Sequence, residues 1–206
     1  VMNKKTAIVA GAGIAGLAMA RALSLKGYNV KVFDRSGFAI GASVRNFGMI
    51  WPIGQADGLY ETAVRSRDIW RELGDKKAFW YRNTGSLHLA YEVDEWKVLN
   101  EAYDVFKNKR RVSLAGSKEV SVKSLAAVNN GLYGALYSED EVIVDPREAI
   151  AGTAEYLQET MGVEFQWNTC IREVKTGCVI TSDGHQHRCE LIVICSGIDF
   201  ETLYPD

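Results

Sequence analysis

The sequence predicts an α/β fold: a parallel sheet with a glycine-rich turn at its head, and an α+β segment inserted part-way along the chain. Three observations carry this reading. Residues 4–35 run as strand, glycine turn, helix, strand. Residues 78–144 change to short strands separated by turns, with an amphipathic helix among them. Residues 145–195 then return to a capped helix and close on LIVIC, a continuous apolar run of the kind a buried parallel strand shows.

The opening unit is the most informative. Thr6 to Ala10 is a short apolar run that stops at glycine, and Gly11, Gly13 and Gly16 stand in the G-x-G-x-x-G spacing. Gly11 lets the chain turn sharply off the strand. Gly13 leaves room for a pyrophosphate against the backbone, and Gly16 lets the following helix pack closely on the sheet. That helix, Ile14 to Leu25, ends at Lys26-Gly27. Its first turn offers unpaired N–H groups and a partial positive charge to phosphate. Val30, Val32 and Phe33 form the second strand, which ends at Asp34. An acidic residue about 20 positions past the glycines can accept hydrogen bonds from both hydroxyls of an adenosine ribose. The whole is a Rossmann-like dinucleotide-binding unit.

Residues 36–55 read as a long glycine-rich loop carrying Ser43, Arg45 and Asn46, and loops of that length in a compact domain usually serve function. Arg45 is either a surface charge or an anion ligand. Phe47, Met49 and Trp51 suit core packing. Gln55 to Leu73 fits a helix with one apolar face, ended by Gly74-Asp75. Two strands, within 78–83 and 85–91, flank a turn at Asn83 to Gly85. Glu92 to Lys109 is an amphipathic helix with Trp96, Leu99, Tyr103 and Phe106 on one face. The basic run Lys107 to Arg111 reads as its solvated last turn, and Glu139 to Glu141 as a solvated turn. Ser121 to Val128 suggests a short helix, and Leu132 to Tyr137 and Glu141 to Val144 suggest strands. Asp145 caps a helix that Pro146 starts and Gly162 stops. VEFQW is a strand, 171–174 and 178–182 pair as a hairpin or meander, and Asp183-Gly184 is a tight turn. Ile198 to Asp206 starts a helix or loop. The implied division is 1–75 with 142–206 as one domain and 76–141 as the insertion.

Composition excludes several classes. With 206 residues and a net charge of −2, the chain suits one or two small domains and carries no nucleic-acid signature. No apolar run approaches the ~20 residues that span a bilayer. The early apolar stretch is broken by glycines and lacks a charged leader, so it reads as a nucleotide-binding unit and not a signal peptide. Cys170, Cys178, Cys189 and Cys195 show no C-x-x-C spacing and sit in strand-like surroundings, which suggests buried thiols in a reducing, cytoplasmic setting. His185 and His187 have no third ligand nearby, so no metal site is expected, and His88 reads as a hydrogen-bonded sheet residue.

GAGIAGLAMARAL followed by VKVFDR resembles the start of FAD-dependent oxidoreductases of the D-amino-acid oxidase and glycine oxidase type. GASVRNFGMI, VDPREAI and LIVICSG are similar, in order, to three further stretches of that family. RNFGMIWPIGQ resembles a subgroup associated with phosphonate catabolism. The resemblance implies a Rossmann-like FAD-binding domain with part of a substrate domain inserted, and it covers about the first half of such an enzyme. It implies that Gly11, Ala12, Gly13, Ile14 and Gly16 cradle the FAD pyrophosphate and that Asp34, where the family usually has glutamate, binds the AMP ribose. It further implies that Arg35 lies against the adenosine, that Ser43 and Arg45 bind phosphate or ribityl groups, and that Asn46, Phe47, Gly48 and Met49 line the isoalloxazine. Val174 is expected to touch adenine through its backbone, and Ser196 and Gly197 to approach the cofactor.

The function so implied is oxidation of a small amine or amino acid to an imine by hydride transfer to non-covalently held FAD; no catalytic residue is assigned, since the flavin supplies the chemistry. An NAD(P)-dependent dehydrogenase shares the first motif but leaves the RNFGM loop unexplained. A non-catalytic nucleotide-binding fragment is the third reading. The isolated chain is expected not to turn over, and uncovered apolar surface around Phe79 to Tyr91 is expected to favour dimerisation or aggregation.

Overall fold

The computed structural model describes residues 5–199. The expected helix or loop after Ile198 lies almost wholly outside the described residues. In chain order the first elements are β1 (Thr6–Ala10), α1 (Ile14–Leu25), β2 (Asn29–Phe33), β3 (Met49–Ile50), α2 (Asp57–Asp75), β4 (Tyr81–Asn83) and β5 (Ser86–Ala90). There follow α3 (Val93–Phe106), β6 (Val112–Ala115), α4 (Ser117–Lys123), β7 (Gly134–Ser138) and β8 (Val142–Val144). The chain then forms α5 (Pro146–Met161), β9 (Glu164–Gln166), β10 (Ile171–Lys175), β11 (Cys178–Thr181), β12 (Gln186–Arg188) and β13 (Leu191–Ile194).

These elements fall into two units. Unit 1 comprises residues up to Gly48, Asp75–Trp80, and residues from Asp145 onward. Unit 2 comprises Met49–Gly74 and Tyr81–Val144. The division differs from the expected 1–75, 76–141 and 142–206, because β3 and α2 are tied to the inserted segment. Met49 and Ile50 pair with β8, and Tyr60 and Arg67 of α2 bond Asp140.

Unit 1 is a parallel sheet in the order β13-β1-β2-β9, covered on two sides. Side chains alternate across a strand, so β1 feeds both layers. Ile8, Ala10 and Phe33 face Ile171, Val179 and Cys189 of the antiparallel sheet β10-β11-β12. The other side carries α1, whose Leu17 and Ala20 are fully buried, and α5, whose Ala149 and Leu157 are fully buried. Asp145 caps α5 by accepting from the Arg147 N–H at 2.9 Å, and Gly162 stops it with a left-handed φ of 68°. Gly152 is needed on α5 because a Cβ there would lie 1.8 Å from the Ala78 carbonyl oxygen. Phe79 packs at the same place and is buried, and among residues 79–91 Trp80 is the one large apolar side chain left exposed. The expected uncovered apolar surface from these strands is therefore mostly absent.

Unit 2 holds two antiparallel sheets, β3-β8-β4 and β5-β7-β6. The strands expected around Asn83 to Gly85 both form, yet they enter different sheets: β4 pairs with β8, and β5 with β7. Gly74 does not end α2; the helix runs through it, and the Tyr81 ring occupies the space a Cβ would take, 2.2 Å away. The short helix is α4, shifted ahead of the expected Ser121 to Val128, because Val120 is the residue that reaches the core with Ala115, Leu132 and Ala135. Part of the expected 36–55 loop is ordered as β3 and two single-turn 3-10 helices, Ala42–Val44 and Pro52–Gly54.

The largest departures concern charge. Arg110 is buried, not solvated. Its guanidinium donates to the Ile53 and Gln55 carbonyls and to Asp57, and lies over the rings of Tyr60 and Phe106 at 4.5 and 4.0 Å. Asp140 and Glu141 are also buried. Asp140 accepts from Arg67, Arg111 and Tyr60, and Glu141 accepts from the Ile53 N–H and the Ser86 hydroxyl. His88 stacks on Trp51 at 5.9 Å, but its buried Nε2 has no hydrogen-bond partner among the described residues. His185 is exposed beside Asp183, whereas His187 packs on Phe33 at 4.9 Å. The four cysteines are free thiols and Cys170 is exposed, contrary to the expectation that all are buried. Among the described residues no helix is long and apolar enough to cross a membrane, and no cluster of His, Cys, Asp or Glu could hold a metal ion.

Candidate functional site

Because β13, β1, β2 and β9 run parallel, their C-terminal ends lie along one edge of the sheet. The residues just past each strand line a single cleft of about 580 Å³. Ligands of open parallel sheets bind outside that edge, where the connections diverge.

The turn after β1 is shaped by its glycines. Gly11 has φ 106°, and a Cβ there would stand 2.3 Å from the Cys195 carbonyl oxygen. Gly16 allows α1 to approach so closely that a Cβ would fall 1.8 Å from the Gly11 oxygen. Gly13 caps α1 in an extended conformation and has no side chain to cap with, and the helix start lies along the cleft. The Ile14 N–H donates to the Ser43 hydroxyl at 2.9 Å, which brings the loop after β2 over this helix start.

Asp34 closes β2 and is tied to the glycine turn. One carboxylate oxygen accepts from the Ala12 N–H at 2.8 Å and the other from the Ser36 N–H at 2.9 Å. Each oxygen keeps a lone pair for a further donor. Its neighbour Arg35 pairs with Asp199 at 2.5 Å. The turn after β9 supplies Thr169, Cys170 and Ile171, held by the Thr169 N–H to the Asp34 carbonyl at 2.9 Å. The turn after β13 supplies Cys195, Ser196 and Gly197, held by the Cys195 N–H to the Ala10 carbonyl at 2.7 Å. Burial pushes the Cys195 thiol pKa up, so it stays protonated. The Ser196 hydroxyl is buried in this lining and has no partner among the described residues. A buried polar atom left unsatisfied is destabilising, and a bound ligand can supply what it lacks.

The cleft thus gathers Gly11, Gly13, Ile14, Asp34, Arg35, Ser43, Ser196 and Gly197. Other expected residues stand elsewhere. Ala12 is buried and contributes its N–H to Asp34; Gly16 serves packing. Arg45 lines a different cavity, described below. Asn46 staples its own loop, donating to the Ser43 carbonyl at 2.9 Å and accepting from the Gly48 N–H at 2.8 Å. Phe47 is 95% exposed, so it packs in no core. Gly48 takes a left-handed φ of 69° that ends unit 1, and Met49 opens β3 in unit 2. The Val174 side chain packs against the Ile8 and Phe33 cluster, and Thr169 to Ile171 of the preceding turn line the cleft. These three, with Ser36, Ile40 and Asp199, were missed by sequence reasoning. The signal was available: VEFQW as a parallel strand puts the turn that follows it on the ligand edge.

A sequence model of the family described as FAD dependent oxidoreductase matches residues 6–205. The chain belongs to that family. Among solved structures, L-amino acid deaminase from Proteus vulgaris with its specific insertion sequence deleted superimposes with a TM-score of 0.85 at 20% identity, over 98% of this chain and 56% of that one. Glycine oxidase from Bacillus cereus gives 0.83 at 23% identity, over 97% and 57%. L-proline dehydrogenase from P. horikoshii gives 0.84 at 19%, over 98% and 55%. At these identities the likeness establishes the fold. A curated relative, the tRNA 5-methylaminomethyl-2-thiouridine biosynthesis bifunctional protein of Burkholderia ambifaria, is 32% identical over 108 residues, which are 48% of this chain and 17% of that protein. The chain spans about half the length of the solved relatives.

Proposed function

We propose that unit 1 binds FAD non-covalently and that unit 2 forms part of the substrate side of an enzyme that oxidises a small amine or amino acid to an imine. The observation that carries this is the convergence of the glycine turn, the Asp34 carboxylate and the unpartnered Ser196 hydroxyl on one cleft. In this reading the N–H groups at the start of α1 hold the pyrophosphate, aided by the helix dipole. Asp34 accepts the ribose hydroxyls on its free lone pairs while its backbone bonds keep the carboxylate aimed. Arg35 flanks the adenosine, and Ser196 donates to or accepts from the cofactor.

FAD bound here would accept hydride from the carbon next to the amine nitrogen, and the protein's part is to orient and to exclude water. The amine must be neutral for its lone pair to assist, which predicts reaction rates that rise with pH. Non-covalent attachment is supported by residues 37–55, which contain no histidine or cysteine. An aminophosphonate fits the same chemistry as an amino acid.

The test is anaerobic mixing of FAD-loaded protein with small primary and secondary amines, amino acids, aminophosphonates and their hydroxy counterparts. Bleaching of the flavin by an amine and not by its hydroxy counterpart is expected. Bleaching by hydroxy acids alone would overturn amine oxidation, and a colourless protein that binds NADH in preference to FAD would overturn the cofactor.

A further inference from the structure

Unit 1 holds a second cavity, of about 490 Å³, between α5 and the loop that follows Asp34. Among the described residues it shares only Ala39 and Ile40 with the lining of the cofactor cleft. The size lies within the range of small-molecule sites, and the wall is mainly apolar with a few polar groups, as such sites usually are.

One wall is a stripe along α5. Arg147, Ile150, Ala151, Ala154 and Glu155 recur at helical spacing. Two small residues in the middle of the stripe, Ala151 and Ala154, leave the hollow. Arg147 stands in the first turn and Glu155 eight residues on, about 12 Å along the axis at 1.5 Å per residue. The cavity is therefore polarised, with its cationic end at the helix N-terminus, where the helix dipole favours an anion. The facing loop adds a second guanidinium, Arg45, and the exposed ring of Phe38; Trp167 completes the aromatic lining. Neither Arg45 nor Arg147 has an ion-pair partner among the described residues. Two guanidiniums against the single carboxylate of Glu155 leave one positive charge, which a monoanion neutralises.

We propose that this cavity binds an amphipathic monocarboxylate, with the carboxylate on Arg45 and Arg147 and an aromatic or medium-length aliphatic body along Ile150, Ala151 and Ala154. The site is independent of the cofactor cleft and can be occupied while FAD is bound.

Isothermal titration of the full chain, with and without saturating FAD, tests this with three probes of one shape: hydrocinnamate, hydrocinnamyl alcohol and hydrocinnamylamine. Hydrocinnamate is expected to bind with one equivalent, about tenfold or more tighter than the alcohol, the scale of charge-assisted hydrogen bonds. The amine is expected to bind weakest. Arg147→Gln, at an exposed position, is expected to lower hydrocinnamate affinity about fivefold or more and to erase the preference over the alcohol. Ala151→Trp fills the hollow and is expected to abolish binding, with FAD affinity unchanged in both variants. Equal affinity for hydrocinnamate and the alcohol, no binding of any probe, or displacement of hydrocinnamate by FAD would each overturn the proposal. Arg147→Gln decides the matter on its own if Ala151→Trp does not fold.

Discussion

Gly13 and Gly16 stand three residues apart in one turn, yet their substitutions are expected to fail in different ways. Gly13 has φ −71° and ψ 179°, a conformation open to any residue. A Cβ there would lie 3.0 Å from the Ser43 hydroxyl, the end of a side chain that can rotate away. Gly13→Val therefore costs the fold about 1 kcal/mol or less. It removes the space above the first N–H groups of α1, and losing two charge-assisted hydrogen bonds of about 1.5–3 kcal/mol each lowers FAD affinity at least about 100-fold. Gly16 meets backbone instead. A Cβ 1.8 Å from the Gly11 oxygen must move to at least 3.0 Å, so α1 and the glycine turn have to separate by 3.0 − 1.8 = 1.2 Å. That shift loosens Leu17, Ala20 and Leu23, and forced overpacking of this kind costs roughly 1–3 kcal/mol or more. Gly16→Ala should therefore lower both the Tm, by roughly 5–10 °C, and FAD affinity. Thermal unfolding followed by circular dichroism, paired with an FAD titration by flavin fluorescence, separates the two. Wild-type FAD affinity in Gly13→Val would refute the role given to the turn, and an unchanged Tm in Gly16→Ala would refute the packing argument.

Asp34→Ala should weaken FAD binding by about 1–3 kcal/mol, or roughly 5- to 150-fold, and should also lower the Tm because the Ala12 and Ser36 N–H groups lose their acceptor; titration and thermal unfolding read both. Asp140→Ala leaves Arg67 buried without its main partner and should destabilise unit 2 by about 3–5 kcal/mol in urea unfolding. Burial alone would raise the Asp140 pKa, but hydrogen bonds from Arg111, Tyr60 and Arg67 outweigh it and hold the carboxyl below its ordinary 3.8. Its stabilisation is thus present above pH 3.8 and lost as the pH falls through the lower folded value, and Asp140→Asn should flatten that part of the stability profile. Acid precipitation of FAD-loaded protein should release all the flavin to the supernatant; flavin retained on the pellet contradicts non-covalent binding.

The β1-α1-β2 unit was legible because its signals are local: a strand, three glycines at fixed spacing, a helix stop and an acidic strand end all fall within 30 residues. Asp145, Pro146 and Gly162 marked α5 for the same reason. What the sequence hid depends on residues far apart. Arg110 looks like a solvated charge until Tyr60, Phe106 and the Ile53 carbonyl surround it. Asp140 and Glu141 read as a polar turn, and only the fold brings Arg67, Arg111 and the Ile53 N–H to them. Gly74 reads as a helix stop just past Leu73, but the helix runs to Asp75, and the Tyr81 ring, six residues further on, explains why glycine is needed inside it. The strand β6, Val112 to Ala115, leaves no signal in the sequence because it follows directly on a basic run and is short. At the site, the family resemblance pointed to Val174, and the parallel register of β9 also brings Thr169 to Ile171 to the cleft. The cavity between Arg45 and Arg147 joins segments about a hundred residues apart and has no motif of its own.

The central claim, that the C-terminal edge of the parallel sheet is the cofactor seat, is tested most directly by a crystal structure of the chain saturated with FAD. The account predicts the adenosine ribose hydroxyls on Asp34, the pyrophosphate over the start of α1 with the Ser43 hydroxyl displaced from the Ile14 N–H, and the Ser196 hydroxyl bonded to the cofactor. A dinucleotide lodged in the cavity beside α5, or one that leaves Asp34 bonded only to Ala12 and Ser36, would contradict it.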